Sequence, residues 1–148
     1  MKTKSIFLSF VSILFCLIMI SCSNNSQSES NQKLELGGEE KLVVLWTSAD
    51  REVALKMAFM YTINSKKYGW WQDITLVVWG PSAKLLSEDK ELQDNIEHML
   101  SLGITVKACK MCADSYGVSS QLEEMGITVK LMSELTDYLK EGRKILTL

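Results

Sequence analysis

The sequence predicts an α/β domain of three layers: a five-stranded, mainly parallel sheet with helices on both faces. Three observations carry that prediction. Two short apolar runs, KLVVLW at 41–46 and ITLVVWG at 74–80, are rich in β-branched residues and lack polar alternation. Strands buried on both faces of a parallel sheet read this way. A helical stretch running into glycine and then a strand occurs twice, with Gly103-Ile104-Thr105-Val106-Lys107 echoed at Gly126-Ile127-Thr128-Val129-Lys130. The chain closes on RKILTL, a further strand-like run after a last helical stretch. Strands alternating regularly with helices over short connections imply parallel pairing and right-handed crossovers.

Taken in order, the first strand is KLVVLW, and REVALKMAFMYTINSKKYG is a helix ending before Gly69. This helix is apolar around most of its circumference, through Leu55, Met57, Phe59, Met60, Tyr61 and Ile63. Either it lies centrally in its layer or a second face meets another subunit. After the second strand, Gly80-Pro81-Ser82 makes a turn. A helical stretch then runs to about Leu102, with Leu92, Ile96, Met99 and Leu100 on one face. Gly103 and Gly126 are placed to end helices in the left-handed conformation and release the chain into strands. Those two strands alternate Ile/Val with Thr/Lys, so one of their faces is less buried. A helix around Leu135–Lys140 ends at Gly142 before the terminal strand. Strand order is left open.

The first forty residues read differently. Lys2 and Lys4 precede an apolar run from Ile6 to Ile20, followed by Ser21 and Cys22. A charged start, an apolar core and a small residue before the cut describe a secretory signal peptide over 1–21. Met19-Ile20-Ser21-Cys22 resembles a bacterial lipobox, which makes Cys22 the expected lipidated first residue and the cell envelope, outside the cytoplasm, the expected location. Residues 22–40 are dominated by Ser, Asn, Gln and Glu, a polar tether that buries too little to order itself. Residues 41–148 form the domain. Removing Lys2 and Lys4 changes the balance of 16 basic and 18 acidic residues to 14 − 18 = −4. No basic run or aromatic–basic interleaving points to nucleic acid. Membrane attachment is expected from the lipid on Cys22, not from the protein surface.

Of four cysteines, Cys16 and Cys22 belong to the leader, leaving Cys109 and Cys112 in the domain. Cys109 ends a predicted strand, the place where open α/β sheets present ligands and reactive groups. By spacing alone the CKMC pair has three chemical readings. A structural zinc site needs about four ligands, and the chain offers no second pair and one histidine, His98, so no metal and no cofactor are expected. A thioredoxin-like dithiol fits the spacing, but the motif follows the third strand, and Pro81, the one proline, follows the second. The third reading makes Cys109 a sulfur nucleophile or carrier with Cys112 as helper. A free thiol of pKa about 8.5 is only a few per cent ionised at neutral pH, so turn N–H groups and Lys110 are candidates for lowering it. Buried packing thiols remain the non-catalytic alternative. The loops after the first two strands reach the same edge, which makes Ser48, Asp50, Gly80 and Ser82 candidate pocket residues. Asp50 and Ser82 read equally well as helix caps. Trp46 and Trp79 end strands there as well.

The domain from about Leu42 to Leu148 resembles the DsrE-like family (DsrE, DsrF and TusD types). The resemblance is carried by GPSAKLL at 80–86, GITVKACKMCADSYG at 103–117 and the closing GRKILTL. It implies that Cys109 is the relay cysteine, holding sulfane sulfur as a persulfide in the manner of a sulfurtransferase-like carrier. It further implies a protein sulfur donor or acceptor and a homo-oligomer, a trimer or hexamer. The leader and Cys112 depart from the relay members. Cys112 is placed to resolve a persulfide on Cys109 by forming a disulfide and expelling sulfide. A thiol–disulfide redox protein and a non-catalytic α/β binding or assembly module are the alternatives.

Overall fold

The computed structural model describes residues 41–148, so the leader, the tether and Cys22 lie outside the described residues. The chain runs β1 (Lys41–Trp46), α1, β2 (Asp73–Val78), α2 (Ser82–Glu88), α3 (Lys90–Ser101), β3 (Thr105–Cys109), α4 (Lys110–Tyr116), α5 (Ser119–Glu124), β4 (Thr128–Lys130), α6 (Glu134–Lys140) and β5 (Lys144–Thr147). Helix α1 is continuous but composite. An α-helical turn, Arg51–Val53, leads into a π-helical segment, Ala54–Phe59, and then an α-helical segment, Met60–Lys67.

The strands pair in the order β4-β3-β2-β1-β5, and every pair is parallel. The sequence expectation of a mainly parallel sheet thus becomes an all-parallel one. From β1 to β4 the chain steps across the sheet in one direction, and right-handed crossovers then place the intervening helices on one face. The connection to β5 steps back, so α6 lands on the other. The two apolar clusters follow this division. One packs Leu42, Val44, Trp46, Leu76, Val78, Val106 and Ala108 against Phe59, Leu86, Leu92, Ile96, Met99 and Leu122 from α1, α2, α3 and α5. The alternate strand residues Val43, Leu45, Val77 and Cys109 pack against Met132 and Tyr138, with Leu135 alongside. Five helices cover one face and the short α6 covers the other, so the outer layers are unequal.

Gly103 and Gly126 perform the role their position predicts, at φ +75° and +85°. Each closes the same six-to-one and five-to-two pattern. Ile104 N–H donates to Met99 O and Gly103 N–H to Leu100 O, while Ile127 N–H donates to Leu122 O and Gly126 N–H to Glu123 O. In both cases the residue after the glycine and the helical residue it bonds are buried and apolar, which is the hydrophobic contact of the motif.

Two details departed from the sequence pattern. The long helix expected from Ser82 to Leu102 breaks at Asp89, whose backbone is extended and whose carboxylate accepts Leu92 N–H at 3.1 Å and Arg51 Nε at 2.7 Å. A capping carboxylate offers the backbone an alternative to continuing the helix. In α1, Ala54, Ala58, Phe59, Thr62 and Ser65 are buried, whereas Met57 and Met60 are half exposed. The helix therefore has an outward apolar face and is not enclosed by its own layer. Among the described residues, no helix is long and apolar enough to cross a membrane.

Candidate functional site

The site is built where β3 turns into α4. Cys109 is both the last residue of β3 and the N-cap of α4, with φ −67° and ψ 112°. Its position in the pleat aims it at the α6 face, in one apolar cluster with Leu45, Val77, Met132 and Tyr138, and it is only 5% exposed. Cys112 lies three residues on, in the first turn of α4, and a separation of three returns a side chain to the same side of a helix. The two thiols are neighbours, close enough for Cys109 to raise the Cys112 thiol. Both are free.

Gly80 joins them from the neighbouring loop. Its backbone N–H faces the Cys112 sulfur closely enough to lower that thiol, and its φ of +74° forms the turn after β2. Burial pushes the Cys112 thiol up from its ordinary value, the Cys109 thiol adds to that, and the Gly80 N–H partly offsets both. Trp79, beside Gly80, packs at the margin of the same cluster, as Cys112 does. Trp46 instead faces the opposite cluster, edge-on to Phe59 with ring centroids 4.9 Å apart and planes at 77°.

The other pocket candidates are committed locally. Ser48 Oγ accepts Asp50 N–H at 3.0 Å. Asp50 caps α1, accepting from Glu52 N–H at 2.8 Å and Val53 N–H at 3.2 Å. The buried Ser82 hydroxyl is directed to two carbonyls, Trp46 O at 2.8 Å and Trp79 O at 3.0 Å. It ties together the loops leaving β1 and β2 and has no hydrogen left for an anion. Lys110 pairs along its own helix with Asp114 at 2.7 Å, and Asp114 also accepts from Ser119. His98 is exposed on α3. Among the described residues, no group of three or more His, Cys, Asp or Glu side chains is placed to hold a metal ion.

The sequence reading missed the α6 side of the site. Lys107 precedes Cys109 by two residues and so shares its face of β3. Its ammonium donates to Glu134 Oε1 and to Tyr138 Oη, the latter at 2.7 Å. Burial works against that charge, but the Glu134 carboxylate and the Tyr138 hydroxyl outweigh it and hold the ammonium above the usual lysine range. Lys107 and Arg143 both lie over the Tyr138 ring, at 5.3 Å and 4.7 Å, and Arg143 is anchored to Asp73 at 2.7 Å. The alternation of GITVKAC marked Lys107 as a face-mate of Cys109. Only the strand order could show that α6 covers that face.

Against known proteins, the model of the DsrE/DsrF-like family matches residues 40–148. The chain belongs to the DsrE/DsrF-like family. A conserved protein of unknown function from Bacteroides thetaiotaomicron, BT1422, is 44% identical in sequence and superposes with a TM-score of 0.71. The match covers 74% of this chain and 95% of that one. The YchN protein of E. coli, at 20% identity and a TM-score of 0.62 over 74% of this chain and 99% of its own, shares the fold. No curated protein matches the chain. In this DsrE/DsrF-like domain the strand-end cysteine has a second thiol beside it, and that second thiol, Cys112, is the one that the β2 loop approaches through Gly80. Two large exposed side chains, Met111 and Leu131, follow Cys109 and its β4 partner Lys130 at the same sheet edge.

Proposed function

We propose that this protein is a lipid-anchored sulfane-sulfur carrier of the DsrE/DsrF-like family, binding or relaying sulfur as a persulfide on Cys109. The observation that carries the reading is the thiol pair at the carboxyl edge of the sheet, with Cys109 at the end of β3 and Cys112 in contact with it. The family's association with sulfur relay supports it. A persulfide carrier needs a reactive sulfur, a donor to steady the thiolate and a surface for a partner's cysteine. Cys109 supplies the sulfur and the exposed Met111 and Leu131 rim the surface, while the Gly80 N–H serves the neighbouring Cys112 thiolate. The partner is a protein that donates or accepts sulfur, and the lipid on Cys22 holds the domain at the bacterial envelope outside the cytoplasm.

Intact-mass spectrometry of the mature, detergent-solubilised protein, before and after a persulfide donor, tests this. A gain of one sulfur that comes to rest on Cys109 is the expected result. No gain, with both thiols slow toward alkylating reagents, sinks it and leaves a binding or assembly module. The contact between the thiols favours one rival, a thiol–disulfide redox protein. That rival requires both cysteines equally and leaves a reversible disulfide with no added sulfur. The outward apolar face of α1, with Met57 and Met60, supports assembly as a homotrimer or homohexamer. A monomeric mass by sedimentation would remove that element.

A further inference from the structure

The two thiols differ in access in the direction opposite to the order of the chain. Cys109 is 5% exposed and enclosed by Leu45, Val77, Met132 and Tyr138. Cys112, the second of the pair, is only half-buried. Transfer of sulfane sulfur between two sulfurs requires the attacking thiolate to approach the outer sulfur nearly in line with the bond that breaks. A donor carried on another molecule cannot make that approach to a sulfur covered by α6 and the turn before it. It can make it at Cys112, beside the exposed Met111.

We infer that sulfur is taken in at Cys112 and handed from there to Cys109, so that Cys112 is the port and Cys109 the sheltered store. This rests on the sulfur-carrier reading and assigns its two thiols an order.

The steps balance without an added oxidant. The Cys112 thiolate attacks the outer sulfur of a donor persulfide R–S–SH. A bond forms between Cys112 Sγ and that sulfur, the donor S–S bond breaks, and R–S⁻ leaves and takes a proton from solvent. The Cys109 thiolate, already in contact, then attacks the same sulfane sulfur. A Cys109 Sγ–S bond forms, the bond to Cys112 breaks, and the Cys112 sulfur departs as a thiolate toward the Gly80 N–H. The sulfane sulfur keeps its oxidation level throughout, and the electron pair that R–S⁻ carries away is matched by the pair that the attacking thiolate supplies. Attack at Cys112 Sγ itself is the competing branch. It forms the Cys109–Cys112 disulfide and expels the sulfane sulfur as hydrosulfide, oxidising the pair by the two electrons that the sulfur gains.

A surface thiol with a raised pKa attacks slowly at neutral pH, and burial and the Cys109 thiol do push Cys112 up. Access, not ionisation, therefore assigns the order. A store reached only through an adjacent thiol is shielded from bulk thiols that would discharge a surface persulfide.

The chain lends itself to the test, because Lys107, Lys110 and Lys130 put Cys109 and Cys112 on separate tryptic peptides. Mature protein is mixed with glutathione persulfide, quenched at increasing times, trapped by alkylation and mapped. The expected course is added sulfur on the Cys112 peptide first, followed by its decline as the Cys109 peptide gains. In Cys109→Ser the sulfur stays on Cys112, and in Cys112→Ser loading of Cys109 slows by about tenfold or more. Cys109 gaining sulfur first in the unaltered protein, or loading at an unchanged rate in Cys112→Ser, overturns the order while leaving the carrier reading intact. Absence of added sulfur on both peptides overturns the carrier reading and the order with it.

Discussion

Cys112 turns back over the first turn of α4 to set its thiol against that of Cys109, while Gly80 from the β2 loop directs an N–H at the same sulfur. Burial is the largest influence on the Cys112 thiol and the Cys109 thiol the next, both raising it. Alkylation of Cys112 as a function of pH, mapped by peptide, should titrate above the ordinary thiol value of about 8.5. In Cys109→Ser the midpoint should fall part of the way back, since the burial remains. A midpoint at or below the ordinary value in the unaltered protein would mean that Cys112 is neither covered nor held by its neighbour.

The Gly80 N–H can be displaced without filling space. A Cβ at Gly80 would meet nothing within 4 Å, so Gly80→Ala acts through the backbone alone. Holding a residue with a Cβ at φ +74° costs about 1–2 kcal/mol. A relaxed turn carries the N–H away from sulfur. The variant should lose about that much stability in denaturant melts, and its Cys112 titration should move further up. An unchanged titration with the stability loss intact would show that the Gly80 donor does not act on the thiol.

Much of this was legible in the chain. KLVVLW and ITLVVWG read as strands buried on both faces because apolar β-branched residues fill both faces, and β1 and β2 lie inside the sheet between the two apolar clusters. Gly103 and Gly126 read as helix ends because a left-handed terminus suits glycine. Cys109 read as a strand end for the same local reasons. The break at Asp89 was hidden because the apolar face of Leu92, Ile96 and Met99 says nothing about where its helix starts. The α6 cover was hidden for a different reason. Lys107, Glu134 and Tyr138 are separated by 27 and 31 residues along the chain, and only the return of the chain to β5 beside β1 brings them together.

Ser82 separates a structural reading of the β2 loop from an anion-binding one. Its buried hydroxyl faces Trp46 O and Trp79 O, and Trp46 O also accepts from Trp79 N–H at 3.0 Å. Ser82→Ala leaves that carbonyl with a partner, so the loss should be about 1 kcal/mol, the net worth of one hydrogen bond. Sulfur loading from glutathione persulfide should proceed at the rate of the unaltered protein. A stable Ser82→Ala protein with slowed loading would instead place this hydroxyl in the chemistry.

Lys107 fastens α6 over the thiol face. Its side chain is 15% exposed and its partner Glu134 24%, and the second Glu134 oxygen is buried with no hydrogen-bond partner among the described residues. Lys107→Met removes the one cation that, among the described residues, is bonded to that carboxylate and leaves it partly buried without that partner, a loss of about 1–3 kcal/mol. The unaltered pair has a defined pH dependence. The Lys107 ammonium is held above its ordinary value because Glu134 and Tyr138 outweigh burial. The folded state therefore retains this proton at pH values where the unfolded chain has released it. The contribution is fully present below the unfolded lysine value of about 10.4 and disappears as pH rises through the higher folded value. Denaturant melts from neutral to strongly alkaline pH should show the unaltered protein and Lys107→Met converging only at the alkaline end. With the fastening removed, α6 should also release its cover, so Cys109 should alkylate faster in Lys107→Met while Cys112 keeps its rate. Equal acceleration at both cysteines would mean general loosening of the fold, and no acceleration at Cys109 would mean that its shelter comes from packing by Met132 and Tyr138 without help from the ion pair.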